Sequence, residues 1–200
     1  HGHAKLTLLD VGQGLSVVIQ TKNHTLVYDT GAKLSDEFDL GAKVVTPFLR
    51  AMGIKKIAML IISHADNDHI GGAVSLLSYF NTDFILTTAM HELANYNPIL
   101  CEAGQQWQWD GVMFTMLHPG INSYYEKRNN NSCVLMVQAG AHKVLLTGDI
   151  ESISERDLIK NYSEELQANI MLVPHHGSKT SSSYEFLKQV NPEYALIPVG

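Results

Sequence analysis

The 200-residue chain is 45% hydrophobic and 17% charged, a composition that excludes disordered and fibrous classes and suits one globular domain. Its 14 Lys and Arg against 20 Asp and Glu leave a net charge of −6, which argues against nucleic-acid binding through bulk electrostatics. Metal ions bound by acidic side chains would cancel part of that charge locally.

Short β segments open the chain: residues 5–10 (KLTLLD), 15–21 (LSVVIQT) and 24–29 (HTLVYD), separated by GQG and KN turns. Residues 41–52 read as a helix that stops at Gly53. A buried strand follows over 57–63, then the ligand-rich stretch SHADNDHIGG, then a helix over 70–80. In the second half, strands are expected at 83–88, 106–111, 112–118, 133–139, 143–149, 168–174 and 194–199. Helices are expected from Ser152 to Asn161, with Ser152 and Glu155 as a capping box, and over 182–190. Clustered strands with four helices over both halves suggest two sheets packed face to face with helices outside. No apolar run approaches the ~18 residues that cross a bilayer. The opening HGH and the terminal strand read as the ends of a domain, residues 1–200, cut from a longer chain and shortened at its C-terminus.

His64, Asp66, Asp68 and His69 place four metal-ligand side chains within six residues, where an apolar strand gives way to a helix. A regular strand or helix cannot aim all four one way, but a strand-to-helix turn can, and Gly71 and Gly72 allow close backbone approach. Mixed imidazole and carboxylate ligands suit several metals. Three other strand ends carry similar groups: Asp29 in YDTG, Asp149 in LLTGD, and His175 with His176 in VPHHGS. One Asp beside a Gly is an ordinary turn, but four such strand ends together describe a site.

The set DVGQGLSVVIQ, LVYDTG, SHADNDHIGG, NNNSCVL, LLTGDI and PHHGSKTSS resembles the metallo-β-lactamase superfamily. Within it, the chain is similar to the C-terminal hydrolase domain of the ComEC competence channel family, Gram-negative type. The resemblance implies an α/β fold, a four-layer αββα metallo-β-lactamase-like sandwich, with two divalent metal ions. His64 and Asp66 would bind one ion, Asp68 and His69 the other, and Asp149 would bridge them. Either His175 or His176 completes the second site, because adjacent strand residues point opposite ways. Asp29 would orient the cluster from behind. Asp66 stands where the superfamily commonly has histidine, and this harder ligand favours Mn²⁺ over Zn²⁺. His118 ends a strand in a different local context from the superfamily's further metal histidine, and Asn131 takes that place.

The implied activity is a metal-dependent phosphodiesterase or nuclease that degrades one strand of DNA during natural transformation. It would sit on the outer, periplasmic face of the cytoplasmic membrane, partnered by the remainder of the channel protein. Asp68 or the nonligand histidine would handle protons. Ser178, Lys179 and Thr180 would hold a phosphate, although Lys179 reads equally as an ordinary surface lysine. A small phosphodiester substrate, or a noncatalytic DNA-guiding module, are the alternatives. Trp107 and Trp109 read as core, and Tyr124 to Arg128 as a mobile polar loop. Cys101 and Cys133 read as two buried small apolar residues, or as a disulfide if the domain faces an oxidising compartment.

Overall fold

The computed structural model describes residues 2–198. Residues 4–100 (with 198) form one unit and residues 101–197 (with 2 and 3) another, each carrying its own six-stranded sheet.

In the N-terminal unit, β1 (Lys5–Leu8), β2 (Val17–Gln20) and β3 (Thr25–Tyr28) pair antiparallel. A short exposed ribbon follows, β4 (Lys33–Ser35) with β5 (Phe38–Asp39), which no apolar alternation foretells. The segment read as a helix over 41–52 is a π-turn at Gly41–Val45 running into α1 (Thr46–Ala51), and Gly53 stops it at φ +72°. The dry run of β6 (Lys56–Ile62) lies parallel to β3, as continuous apolar strands do in covered parallel sheets. The helix expected over 70–80 is broken into α2 (Asn67–Ile70) and α3 (Ala73–Tyr79). At the break the Gly72 amide bonds the Gly31 carbonyl at 3.1 Å and the Asp68 carbonyl takes the Leu15 amide. Backbone also crowds the glycines: a Cβ on Gly71 would lie 2.1 Å from the Lys33 nitrogen, and one on Gly72 2.3 Å from the Gly41 nitrogen. Strands β7 (Asn81–Thr87) and β8 (Ile99–Leu100) complete the parallel half of the sheet. Val27, Leu60, Ile62, Leu49 and Leu76 pack its helix-bearing face.

The C-terminal unit repeats this plan. Strands β9 (Gln106–Trp109) and β10 (Val112–His118) form a hairpin across Asp110-Gly111, both at positive φ, as a tight hairpin turn demands. Trp107 stacks on Phe114 with ring centroids 5.2 Å apart, and Trp109 meets that ring edge-on. Strands β11 (Val134–Ala139) and β12 (His142–Leu146) continue antiparallel. Then α4 (Ser152–Tyr162) leads to β13 (Ile170–Leu172), and α5 (Tyr184–Val190) to β14 (Tyr194–Leu196), both strands parallel to β12. The strand expected over 194–199 ends early, and residue 199 lies outside the described residues.

The Ser152–Glu155 capping box does not form. Ser152 is already helical, and the fully buried Glu155 carboxylate instead accepts the Ser182 and Ser183 amides, the latter at 2.9 Å. Glu155 thereby ties α4 to the start of α5, whose cap is the Ser183 hydroxyl.

Cys101 and Cys133 are bonded, not two free buried thiols: their Cα atoms lie 5.9 Å apart and the bond closes a 32-residue separation. A loop of that length is worth roughly 3–4 kcal/mol in the chain-entropy account. The Cys101→Ser/Cys133→Ser double variant should lose about that much in urea unfolding. Reduced wild type should unfold with the same midpoint as the variant.

Candidate metal centre

The parallel register of β3 and β6 sets the N-terminal ligand group. Asp29 follows β3 in a left-handed backbone (φ +58°), and its amide donates to the Ile61 carbonyl at 2.8 Å. This turns a fully buried carboxylate onto the residue after β6. Its Oδ1 accepts the Ser63 amide at 2.7 Å, and its Oδ2 accepts the Ser63 hydroxyl at 2.7 Å. The same Oδ2 is 2.7 Å from His69 Nδ1, so that ring nitrogen carries the proton as donor. With its own proton given to Asp29, Ser63 Oγ is left as an acceptor, 3.0 Å from His64 Nδ1. Both imidazoles therefore turn an unprotonated Nε2 away from Asp29.

Those nitrogens meet the neighbouring carboxylates. His64 Nε2 is 3.6 Å from Asp66 Oδ2, and His69 Nε2 is 3.8 Å from Asp68 Oδ2. The turn itself is held from outside. The Leu15 amide donates to the Asp68 carbonyl at 3.1 Å, and a Cβ on Gly14 would fall 2.6 Å from that oxygen. Asn67 donates to the Lys33 carbonyl and accepts its amide, which fastens the β4–β5 ribbon to the turn.

In the C-terminal unit, Asp149 follows β12, and its amide donates to Ser132 Oγ at 3.1 Å. His175 and His176 lie beyond β13 in a tight turn (Pro174–Gly177), not in a strand, and both adopt positive φ. The alternation expected of strand neighbours therefore fails. Both Nε2 atoms approach the same Asp149 Oδ2, His175 at 4.0 Å and His176 at 3.7 Å. They differ in their other partners: His175 Nε2 has the Asn129 amide nitrogen 3.2 Å away, and its Nδ1 has Glu151 Oε1 at 3.9 Å and Thr180 Oγ1 at 3.4 Å.

Asn131 does not face the ligands. Its side chain bonds the Tyr125 amide and the Tyr125 and Lys127 carbonyls, shaping the loop before the 3₁₀ turn Arg128–Asn131. The neighbouring asparagines reach the ligand group instead. Asn129 meets His175, and Asn130 pairs with both the amide and the carboxylate of Glu151. Burial raises the Glu151 carboxyl, but bonds from Lys127, Thr180 and Asn130 outweigh it and hold it low. His118 is 2% exposed and donates Nδ1–H to the Ser132 carbonyl at 3.0 Å. Ser178 and Thr180 face each other through their hydroxyls at 3.2 Å, and Lys179 is exposed. Ser63, Asn129, Asn130 and Glu151 escaped the sequence reading. Ser63, adjoining His64 in SHADNDH, and Asn129 and Asn130, within NNNSCVL, carried a signal by position.

The residues fit divalent metal. His64 Nε2 is buried without a hydrogen-bond partner, an expensive state for an imidazole lone pair unless an ion or donor meets it. The surrounding groups are imidazoles and carboxylates, the donor chemistry such ions take.

The sequence model of the metallo-β-lactamase superfamily matches residues 9–200, and the chain belongs to that family. It has the metallo-β-lactamase fold, of mixed α/β type. Competence protein ComA of Neisseria gonorrhoeae is 37% identical over 98% of this chain and 27% of its own length. Recombination protein 2 of Haemophilus influenzae is 38% identical over 96% of this chain and 24% of its own. The chain thus spans about a quarter of these relatives. Among solved structures, the metallo hydrolase Igni18 of Ignicoccus hospitalis superposes with a TM-score of 0.57, covering 99% of this chain and 84% of that one, at 15% identity. Among the described residues, no helix is long and apolar enough to cross a membrane.

Asp29→Asn keeps the side-chain volume but replaces one acceptor oxygen with an NH₂, so it cannot serve both the Ser63 amide, on Oδ1, and the Ser63 hydroxyl and His69, on Oδ2. It should weaken divalent-metal binding about 10–100-fold in calorimetric titration. Burial holds the His118 imidazole below its usual pKa, against the Ser132 carbonyl and Asp157. The unfolded ring binds its proton first as pH falls, so this burial favours unfolding below about pH 6.5. Urea midpoints of His118→Asn should therefore decline less than those of wild type between pH 7.5 and 5.5.

Proposed function

We propose that this chain is a metal-dependent phosphodiesterase acting on DNA, one hydrolase domain of a longer competence channel protein. The carrying observation is the pair of buried imidazoles, His64 and His69, whose Nδ1 atoms are fixed through Ser63 and Asp29. A site with its lone pairs set in advance spends nothing on orientation when it meets a divalent ion. DNA as substrate rests on the likeness to proteins named for competence and recombination. A place on the outer, periplasmic face of the cytoplasmic membrane is part of the same proposal.

The proposed ligands are His64, Asp66, Asp68 and His69 in the N-terminal unit and Asp149 with His176 in the C-terminal unit. Of the histidine pair, His176 is preferred because His175 Nε2 is already met by Asn129. When bound, divalent metal supplies Lewis acidity toward the phosphodiester and a more acidic water. Asp66, a hard oxygen ligand, favours Mn²⁺, with Zn²⁺ the alternative. His175, held between Asn129, Thr180 and Glu151, is placed to take or return a proton through Nδ1. The Ser178 and Thr180 hydroxyls and the exposed Lys179 ammonium are placed to hold a non-reacting phosphate oxygen.

The test is metal-dependent cleavage of single-stranded DNA, duplex DNA and bis-nitrophenyl phosphate by the wild type and Asp68→Ala. Mn²⁺-dependent cleavage of DNA is expected, with Asp68→Ala losing more than the roughly 10–100-fold typical of outer-shell changes. Cleavage of the small ester alone would move the substrate to small phosphodiesters. Bound metal without cleavage of any substrate would leave a noncatalytic DNA-guiding module.

A further inference from the structure

The loop before residues 128–131 borders a cavity of about 500 Å³, within the range of small-molecule pockets. Its walls include Tyr124, Tyr125, Lys127, Glu151 and Ile153. The sequence suggested a mobile polar loop here, but the structure shows a pinned one. Asn131 bonds both the amide and the carbonyl of Tyr125, and the Tyr125 hydroxyl donates to Asp157. Anchored at its neighbour, Tyr124 nevertheless holds its ring 83% exposed at the cavity wall. Ile153, at the start of α4, is a second exposed apolar group on the same cavity.

The charges around this cavity suit an anionic chain. Glu151 would repel a phosphodiester, yet its carboxylate is met by Lys127 Nζ at 3.0 Å and by the Asn130 amide at 3.1 Å. Lys127 remains 68% exposed, so its ammonium is open to a passing phosphate. The cavity also adjoins the ligand group, since Glu151 Oε1 lies 3.9 Å from His175 Nδ1. An exposed ring, a neutralised wall and nearby ligand residues describe a subsite for one nucleotide unit.

We propose that this cavity takes one base of a single-stranded substrate, stacked on the Tyr124 ring, with the Lys127 ammonium beside its phosphodiester. This rests on the phosphodiesterase reading and narrows its substrate. A base still paired inside a duplex cannot offer its face to a side chain, whereas a single strand can. The specificity is for strandedness rather than sequence, because every base has a π-face.

The test is binding of a labelled deoxythymidine oligonucleotide and of a blunt duplex, by fluorescence anisotropy in EDTA, where metal-dependent cleavage does not intervene. Tyr124→Ala, Tyr124→Phe and Tyr124→Trp are compared with wild type. Tyr124 is exposed, so all three should keep the wild-type thermal midpoint. Single strand should bind more tightly than duplex. Tyr124→Ala should weaken single-strand binding between about fivefold and a hundredfold, while the two aromatic variants keep it. Tyr124→Trp should also show indole quenching on oligonucleotide addition that wild type, with Trp107 and Trp109 alone, does not.

Four results would overturn the base site: no oligonucleotide binding by wild type, unchanged affinity in Tyr124→Ala, equal loss in Tyr124→Phe, or a duplex bound as tightly. Cleavage of the same oligonucleotide in Mn²⁺ separates the two claims. Ring-dependent binding without cleavage would defeat the phosphodiesterase and leave the base site. Cleavage indifferent to Tyr124 would do the reverse.

Discussion

The buried carboxylate of Asp29 is the constraint on which the N-terminal ligand group depends. A charge removed from water needs donors on every side, and here they are the Ser63 amide, the Ser63 hydroxyl and His69 Nδ1–H. Each donor is consumed in a way that decides something else. The amide bond closes the turn after β6. The hydroxyl's proton leaves Ser63 Oγ as acceptor toward His64, and the His69 bond fixes a second tautomer. One aspartate thereby sets the direction of two lone pairs. It can do so because the parallel register, Tyr28 beside Ile61, brings its backbone to the end of β6. The left-handed conformation that aims it is a local cost, carried by a sheet whose centre is dry.

The C-terminal group is assembled by other means. Asp149 is held by a serine hydroxyl, and the loop contributing that serine is held in turn by asparagines. Asn130 alone engages the amide and carboxylate of Glu151, and both its carbonyl oxygens are near the Ser154 hydroxyl. The disulfide enters at Cys133, directly after Ser132, so the covalent link is anchored beside the residue that bonds Asp149. Two consecutive left-handed residues then bring both histidines to one carboxylate, an arrangement that an extended chain forbids.

Much of the secondary structure was legible because its signals are local. The apolar run of β6 and the glycine stop at Gly53 each state their conformation in a few residues. The lost capping box and the broken helix share one origin, a partner distant in sequence, whereas Asn131 turns to Tyr125 and Lys127 within its own loop. Glu155 looked like half of a capping box because its spacing from Ser152 fits one, but the Ser182 and Ser183 amides took its carboxylate. The helix expected over 70–80 breaks where the Gly72 amide turns to the Gly31 carbonyl and the Asp68 carbonyl to the Leu15 amide. Asn131 was chosen over Asn129 and Asn130 among three identical side chains. Composition cannot order three asparagines, but the fold of the loop does.

The sequence by itself determined the chemistry available: which strand ends carry imidazole and carboxylate, and where glycine permits close approach. Those are properties of residue type and spacing, and they survive without a structure. Only the tertiary structure decided how each group is used: the tautomers of His64 and His69, the joint approach of His175 and His176 to Asp149, and the bond between Cys101 and Cys133. Tautomer, direction and pairing depend on which donor or acceptor lies opposite, and that neighbour is tens of residues away along the chain, or, for His64, is a Ser63 whose own proton goes to the distant Asp29.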